Sequence, residues 1–365
     1  MTDRYKVYTK VKKTMEEFVK LHHPGHVVTL AMMITGIVMS KKAQLSEMSS
    51  EIPGKAKDKS CEMRLRRWVK DDKLEAELIY LPFAQQVLKA LSGTELVLVM
   101  DGSQAGRGCM VLMVGVLYKK RALPIAWLVY KGKKGHTTAK RHIEVLKKVL
   151  PLIPESAKVV LLGDAEYDTT EMQVWLGENT NWSYVLRTSP QIYVTTEQGK
   201  QHPIAALPLK QSQVLFYPGA AFTKTGRTQV NLIGWWGQVY EDPIYLITNL
   251  AGKYLACKYY RKRYRIETFF SDQKSRGFHI HKSHLADPAR LGRLLIAACL
   301  AYLWMIFLGL QVIAEKKTAL IDRTDRTDKS IFRLGLDWLR YCLKKGLDFE
   351  PLFWFQPTSI LSNVR

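Results

Sequence analysis

The stretch YYRKRYRIETFFSDQKSRG, residues 259–277, sets one glutamate, Glu267, in the middle of a run of arginines and lysines. Wound as a helix at 100° per residue, it places Tyr260, Arg263, Glu267 and Lys274 within an arc of roughly 60°. Tyr259, Ile266, Phe269 and Phe270 fall on a different, apolar side, and Asp272 lies off the polar stripe. A solvated Arg263–Glu267 ion pair contributes only about 0.3–0.5 kcal/mol. Such a pair does not account for a stripe of Tyr, Arg, Glu and Lys nearly four turns long. A carboxylate kept among so many cations points instead to surroundings shared with something strongly anionic.

The rest of the chain agrees. Its 365 residues carry 55 Lys and Arg against 33 Asp and Glu, a net charge of +22. That length allows two or three domains and a sizeable core. That charge makes nucleic acid the first partner to consider and a membrane surface the second. Cys61, Cys109, Cys257, Cys299 and Cys342 are scattered, odd in number and without a CxxC pair. They argue against a disulfide framework and a structural zinc site, and fit a reducing cytoplasm. The apolar run 27–38 is too short to span a bilayer. The run LLIAACLAYLWMIFLGLQVIA, 294–314, is long enough; standing alone in a very basic chain, it reads as a buried helix, with a membrane anchor as the competing reading.

Residues 1–92 form a helical N-terminal region. Two short helices around the Pro-Gly break at 53–54 suggest a helix-turn-helix or a small bundle with a basic face. The second carries Arg64, Arg66, Arg67 and Lys70, a set suited to a nucleic-acid groove. Residues 93–188 read as strand, strand, strand, helix, strand, helix, strand. The second and third strands form a hairpin with the basic tip KKR, 119–121. Residues 189–252 are rich in Gln, Thr, Val, Tyr and Trp and read as a β-rich insertion. The opening stretch and the apolar helix occupy 253–315, and 316–365 hold a polar linker and a last amphipathic helix.

Two aspartates complete the pattern. ELVLVMD ends a buried strand at Asp101, and KVVLLGD ends another at Asp164. An acid there is costly without a partner. Asp101-Gly102 could instead open a turn. Asp164 could cap the following helix, but Asp168 and Glu171 offer that helix a capping box of their own. Glu166 is a rival, lying beyond the strand end. Two strand-end aspartates and a glutamate on a later helix are hard oxygen donors of the kind Mg²⁺ or Mn²⁺ takes. Two such ions about 3.5–4 Å apart can activate a nucleophile and stabilise a leaving oxygen on a phosphodiester. Cations on the same stripe would hold flanking phosphates.

The spacing Y-x2-R-x3-E-x6-K, met by Tyr260, Arg263, Glu267 and Lys274, resembles the YREK signature of the DDE transposases of the insertion-sequence-four family. The strand order of 95–188 and the β-rich insertion before the third acid resemble that family too. The resemblance covers roughly 95–315 and is weaker at both ends; the stretch after Glu267 is shorter than in the larger members, which carry an extended dimerisation region. It implies an α/β fold with an RNase H-like catalytic core interrupted by the insertion. It implies metal binding by Asp101, Asp164 and Glu267, and DNA contacts by Tyr260, Arg263 and Lys274. Trp235 or Trp236 would stack on a flipped base, or both are packing residues. The implied activity is cut-and-paste transposition on double-stranded DNA, at terminal repeats and at a target. It implies Mg²⁺ or Mn²⁺, a homodimer on DNA and the prokaryotic nucleoid, with no membrane and no small-molecule substrate. The competing readings are an RNase H-like nuclease or resolvase and a catalytically inactive DNA-binding derivative. The basic loops 119–121 and 131–136 are expected either to grip the DNA backbone or to be ordinary solvated loops.

Overall fold

The structure is a computed structural model that describes residues 2–353, apart from 22, 94, 134, 136, 197, 198, 324, 326 and 327. Its N-terminal region is helical: α1 (Asp3–Phe18), α2 (Pro24–Ser40), α3 (Leu45–Ser49), α4 (Asp58–Lys70), α5 (Ala76–Ile79) and α6 (Leu81–Leu91). Helix α1 is amphipathic and buries Val7, Val11 and Met15, spaced four apart. Helix α2 starts at a proline, which has no amide to leave unpaired at that position. It packs against α1, α3, α4 and a long C-terminal helix, so its apolar residues are buried on most sides.

Next comes the antiparallel meander β1 (Leu96–Ala105), β2 (Cys109–Tyr118) and β3 (Arg121–Lys131). Then follow α7 (Ala139–Val149), β4 (Val159–Gly163), α8 (Thr170–Asn179) and β5 (Ser183–Thr188). Strands β1, β4 and β5 are parallel neighbours, and β2 is antiparallel to its flanking strands. The resulting order β3-β2-β1-β4-β5 is the RNase H-like arrangement expected from the sequence.

The β-rich segment supplies β6 (Tyr193–Thr195), β7 (Gln201–Pro203), β8 (Val214–Phe222), β9 (Thr228–Trp235) and β10 (Ile244–Thr248). These strands are continuous with the core. Strand β10 pairs antiparallel with β5, and the whole forms one ten-stranded mixed sheet, β3-β2-β1-β4-β5-β10-β9-β8-β6-β7.

The chain ends in α9 (Lys253–Tyr260), α10 (Arg265–Gln273), α11 (Pro288–Ala314) and α12 (Ile331–Lys345). Helix α11 is long and apolar enough to cross a membrane, with mean hydropathy 2.2, yet 89% of that apolar window is buried inside the fold. It packs against β3, α2, α4 and α12. Its crossing with α12 is very close: a Cβ on Gly335 would stand 1.9 Å from the Met305 carbonyl oxygen, and one on Gly309 would stand 2.0 Å from that of Ile331. All five cysteines are free and buried.

Three local expectations are corrected. Residues 259–277 are not one helix: α9 stops at Tyr260, a turn runs through 261–264, and α10 begins at Arg265. Arg261 and Arg265 would be like charges four apart on a continuous helix, which is unfavourable. The turn separates them, and Arg265 donates to the Lys119 carbonyl. Helix α8 is capped by Thr169, whose hydroxyl accepts from the Met172 amide at 3.3 Å, and not by Asp168. Arg121 of the basic tip is tied down. Its guanidinium pairs with Asp272 of α10 at 2.5 Å, with side chains only 11% and 4% exposed. In the loop 131–136, positions 134 and 136 lie outside the described residues.

Candidate active site

Strand β1 does not end at Asp101; it continues to Ala105. Its parallel pairing with β4 stops earlier, running from Leu96↔Val159 to Val99↔Leu162. Two residues further in that register, Asp101 stands beside Asp164, the first residue after β4. The two acids are therefore neighbours in register, just past the point where the β1–β4 pairing ends. Asp101 is 4% exposed, and its Oδ1 accepts from the Gly102 amide at 2.7 Å. Asp164 is half-buried, and its Oδ1 accepts from the Glu166 amide at 2.9 Å. The rival Glu166 is engaged elsewhere: its Oε1 accepts from the Thr137 amide at 3.0 Å.

The third acid arrives from the helix pair. Arg263, in the turn between α9 and α10, sets Nη1 3.4 Å from Asp101 Oδ2 and Nη2 3.3 Å from Glu267 Oε1. Burial works against the Arg263 charge, but Tyr260, Asp101, Asp164 and Glu267 more than offset it and hold its pKa above the usual arginine value. One guanidinium thus bridges Asp101 and Glu267, and the Asp164 charge also favours it. The Glu267 side chain remains 61% exposed, so the cluster opens to solvent on that side. Tyr260 closes the buried side; burial raises its phenol pKa, against the pull of Arg263.

Side chains two apart on a strand share a face. Ser103 therefore follows Asp101 on the α10 side of β1, and Lys274 at the end of α10 donates to its hydroxyl at 2.7 Å. Of the YREK-spaced residues, Arg263 pairs with Glu267 and stands 6.0 Å from the Tyr260 ring, Lys274 reaches β1 at Ser103, and the turn 261–264 separates Tyr260 from Glu267. The stripe is assembled by tertiary contacts with β1 rather than by one helical wheel.

The other candidates lie apart from this cluster. Trp235 on β9 is 4% exposed, with the Arg261 guanidinium 4.8 Å above its ring and Tyr240 against its edge. Trp236 is half-buried, and its Nε1 donates to the Tyr240 carbonyl at 3.0 Å. On α4, Arg64 Nε donates to Thr29 Oγ1 at 2.9 Å, which ties α4 to α2, while Arg67 and Lys70 in the last turn are exposed. Arg66 pairs with Glu62 at 2.5 Å.

Sequence reasoning missed Ser103, which strand alternation from Asp101 could have found. It also missed Tyr264, 56% exposed in the turn between Arg263 and Glu267. No periodicity marks Tyr264, because its exposure follows from the helix break.

Among the described residues, no group of three or more His, Cys, Asp or Glu stands close enough to hold an ion. The donor chemistry nevertheless fits a hard divalent cation: Asp101 and Glu267 meet on one positive charge, and Asp164 lies beside Asp101 in register. In this state the charge is the Arg263 guanidinium, so gathering the acids on an ion requires that side chain to move aside.

Among solved structures, the chain is similar to the piggyBac transposase in a cryo-EM synaptic complex with hairpin DNA. The identity is 11% and the TM-score 0.47, covering 95% of this chain and 83% of the other. No curated protein matches the chain. The transposase DDE domain matches residues 95–304, which span β1, β4, both helices of the acid cluster and most of α11. With more than half its length matched, the chain belongs to the transposase DDE domain family.

Proposed function

We propose that this chain is a cut-and-paste DNA transposase of the YREK type, with Asp101, Asp164 and Glu267 as its catalytic acids. The observation that carries this reading is Arg263 bridging Asp101 and Glu267, with Asp164 beside Asp101 in register and Lys274 on Ser103 next along β1. The acids would hold one or two Mg²⁺ or Mn²⁺ ions, which supply Lewis-acid activation of water and stabilise the leaving oxygen of a phosphodiester. Arg263 and Lys274 would take phosphate oxygens flanking the scissile bond, with Arg263 exchanging carboxylate for phosphate. Tyr260 backs Arg263 against the fold. Of the two tryptophans, Trp236 keeps the more open ring and is the better candidate to stack on an extruded base. Arg64, Arg67 and Lys70, all exposed on α4, would meet DNA, with Arg64 held by its bond to Thr29.

In this reading, hydrolysis at the element's end leaves a 3′-hydroxyl, which attacks the opposite strand to form a hairpin. The hairpin is reopened, and the freed 3′ end attacks target DNA. Each step is phosphoryl transfer, so one carboxylate set serves them all. Two ends must be joined, so the working form is a homodimer on DNA, on the prokaryotic nucleoid. Wild-type protein incubated with Mg²⁺, a native-end duplex and supercoiled target tests this. It should give nicked, hairpinned and target-joined products. Nicking alone, without joined product, would reduce the reading to a nuclease.

A further inference from the structure

Tyr167 is fully buried, yet its hydroxyl finds no hydrogen-bond partner among the described residues. It sits in the turn that carries Asp164 away from β4, its amide donating to the Asp164 carbonyl at 3.2 Å. The ring starts against Gly163, where an added Cβ would lie 2.9 Å from Tyr167 Cδ2 and 3.1 Å from its Cβ. The hydroxyl ends against Gly102 on β1, 3.6 Å from where a Cβ there would be. The phenol thus spans from the residue before Asp164 to the residue after Asp101. Gly163 leaves room for it, and Gly102 lies within van der Waals reach of its hydroxyl end. His142 of α7, also fully buried, packs edge-on against the ring with centroids 4.7 Å apart and holds it from behind. Burial and then the charges of Asp101 and Asp164 raise the phenol pKa well above its usual value, consistent with a ring end lying close under both acids.

We propose that Tyr167 is a positioning residue for the metal-binding acids: its ring pegs the Asp164 turn to β1 and so sets the separation of Asp101 from Asp164. The peg works by bulk: the hydroxyl fills space at Gly102 and makes no hydrogen bond among the described residues. This inference rests on the reading of those two aspartates as metal ligands. Tyrosine lies three residues after Asp164 in DAEYD, but nothing in the sequence ties it to β1; only the fold brings Gly102 beneath it.

The test is Mn²⁺ binding to the DNA-free full chain by calorimetry, well below the unfolding temperature, with Asp164→Asn as the reference. Tyr167→Leu should weaken Mn²⁺ binding about tenfold, the size of effect seen when groups supporting metal ligands are removed. Tyr167→Phe, which keeps the ring against Gly163 and His142 and shortens only its reach to Gly102, should lose much less Mn²⁺ affinity than Tyr167→Leu and melt higher, because an unpaired buried hydroxyl is gone. Gly163→Ala, whose Cβ would crowd the ring at 2.9 Å and Leu186 at 3.0 Å without removing either, should weaken binding like Tyr167→Leu, with Leu186→Val in the same background separating the two contacts, and covers the case in which the leucine variant does not fold. Wild-type affinity in folded Tyr167→Leu or Gly163→Ala would overturn the inference. So would a loss in Tyr167→Phe as large as in Tyr167→Leu. If wild type and Asp164→Asn bind Mn²⁺ equally, the metal-ligand reading itself fails, which is a distinguishable result.

Discussion

Arg263 stands where the three carboxylates need a positive charge, 3.4 Å from Asp101 and 3.3 Å from Glu267. Its removal should therefore help a divalent ion and harm DNA. In Arg263→Gln, Mn²⁺ affinity of the DNA-free protein should rise about threefold to tenfold, equivalent to roughly 1 kcal/mol for a partly exposed pair. DNA affinity should fall in the same variant. Unchanged Mn²⁺ affinity would mean that the guanidinium does not compete for the acids. Asp168 makes a second residue-scale prediction. Burial pushes its pKa up to about 6, ahead of the opposing pull of Thr188. A raised carboxylate pKa favours the folded state when protonated. That contribution is full below the ordinary aspartate range near pH 4 and is lost as pH rises through about 6. Asp168→Asn should therefore raise the melting temperature at pH 7.5, by on the order of 2 kcal/mol in stability, and gain little at pH 4.5. An equal gain at both pH values would contradict this.

At the scale of elements, the strands were legible and the helix was not. ELVLVMD, MVLMVGVLY and KVVLLGD are apolar because both faces of these interior strands are covered, and ALPIAWLVY because helices also pack on the edge strand β3; runs of that kind announce themselves. An acid at the edge of such a run is conspicuous, so Asp101 and Asp164 could be picked out. The break at 261–264 has no glycine or proline to signal it. It comes from tertiary demands: Arg263 turns to β1, Arg265 to the hairpin carbonyl of Lys119, and Asp272 to Arg121. Local periodicity cannot see those partners, and the same blindness made the 119–121 tip look free. Arg121→Ala should leave Asp272 buried without its partner and cost about 3–5 kcal/mol in chemical denaturation. DNA affinity, measured under conditions where the variant is folded, should change little. A stable variant that binds DNA poorly would restore the tip as a DNA contact.

Across the whole molecule, the net charge of +22 is carried over a continuous ten-stranded sheet flanked by helices. The β-rich composition of 189–252 was legible as strands. Its merging with the core was not, because the pairing of β10 with β5 joins segments far apart in sequence. DNA binding by such a molecule should weaken linearly in log affinity against log salt, by about 0.9 per phosphate neutralised. Arg67→Ala and Lys70→Ala should each lower that slope by about one unit if α4 lies on the duplex; an unchanged slope would remove α4 from the interface. The measurement that bears most directly on the central claim compares wild type with Glu267→Gln on end-labelled native-element DNA, with and without Mg²⁺, on a denaturing gel and in parallel by gel shift. Metal-dependent cleavage by wild type, with retained binding and at least about a hundredfold slower cleavage by Glu267→Gln, is the expected result for a residue among the reacting groups. Cleavage by the variant at the wild-type rate would reduce Glu267 to the surface partner of Arg263 and contradict the three-carboxylate site.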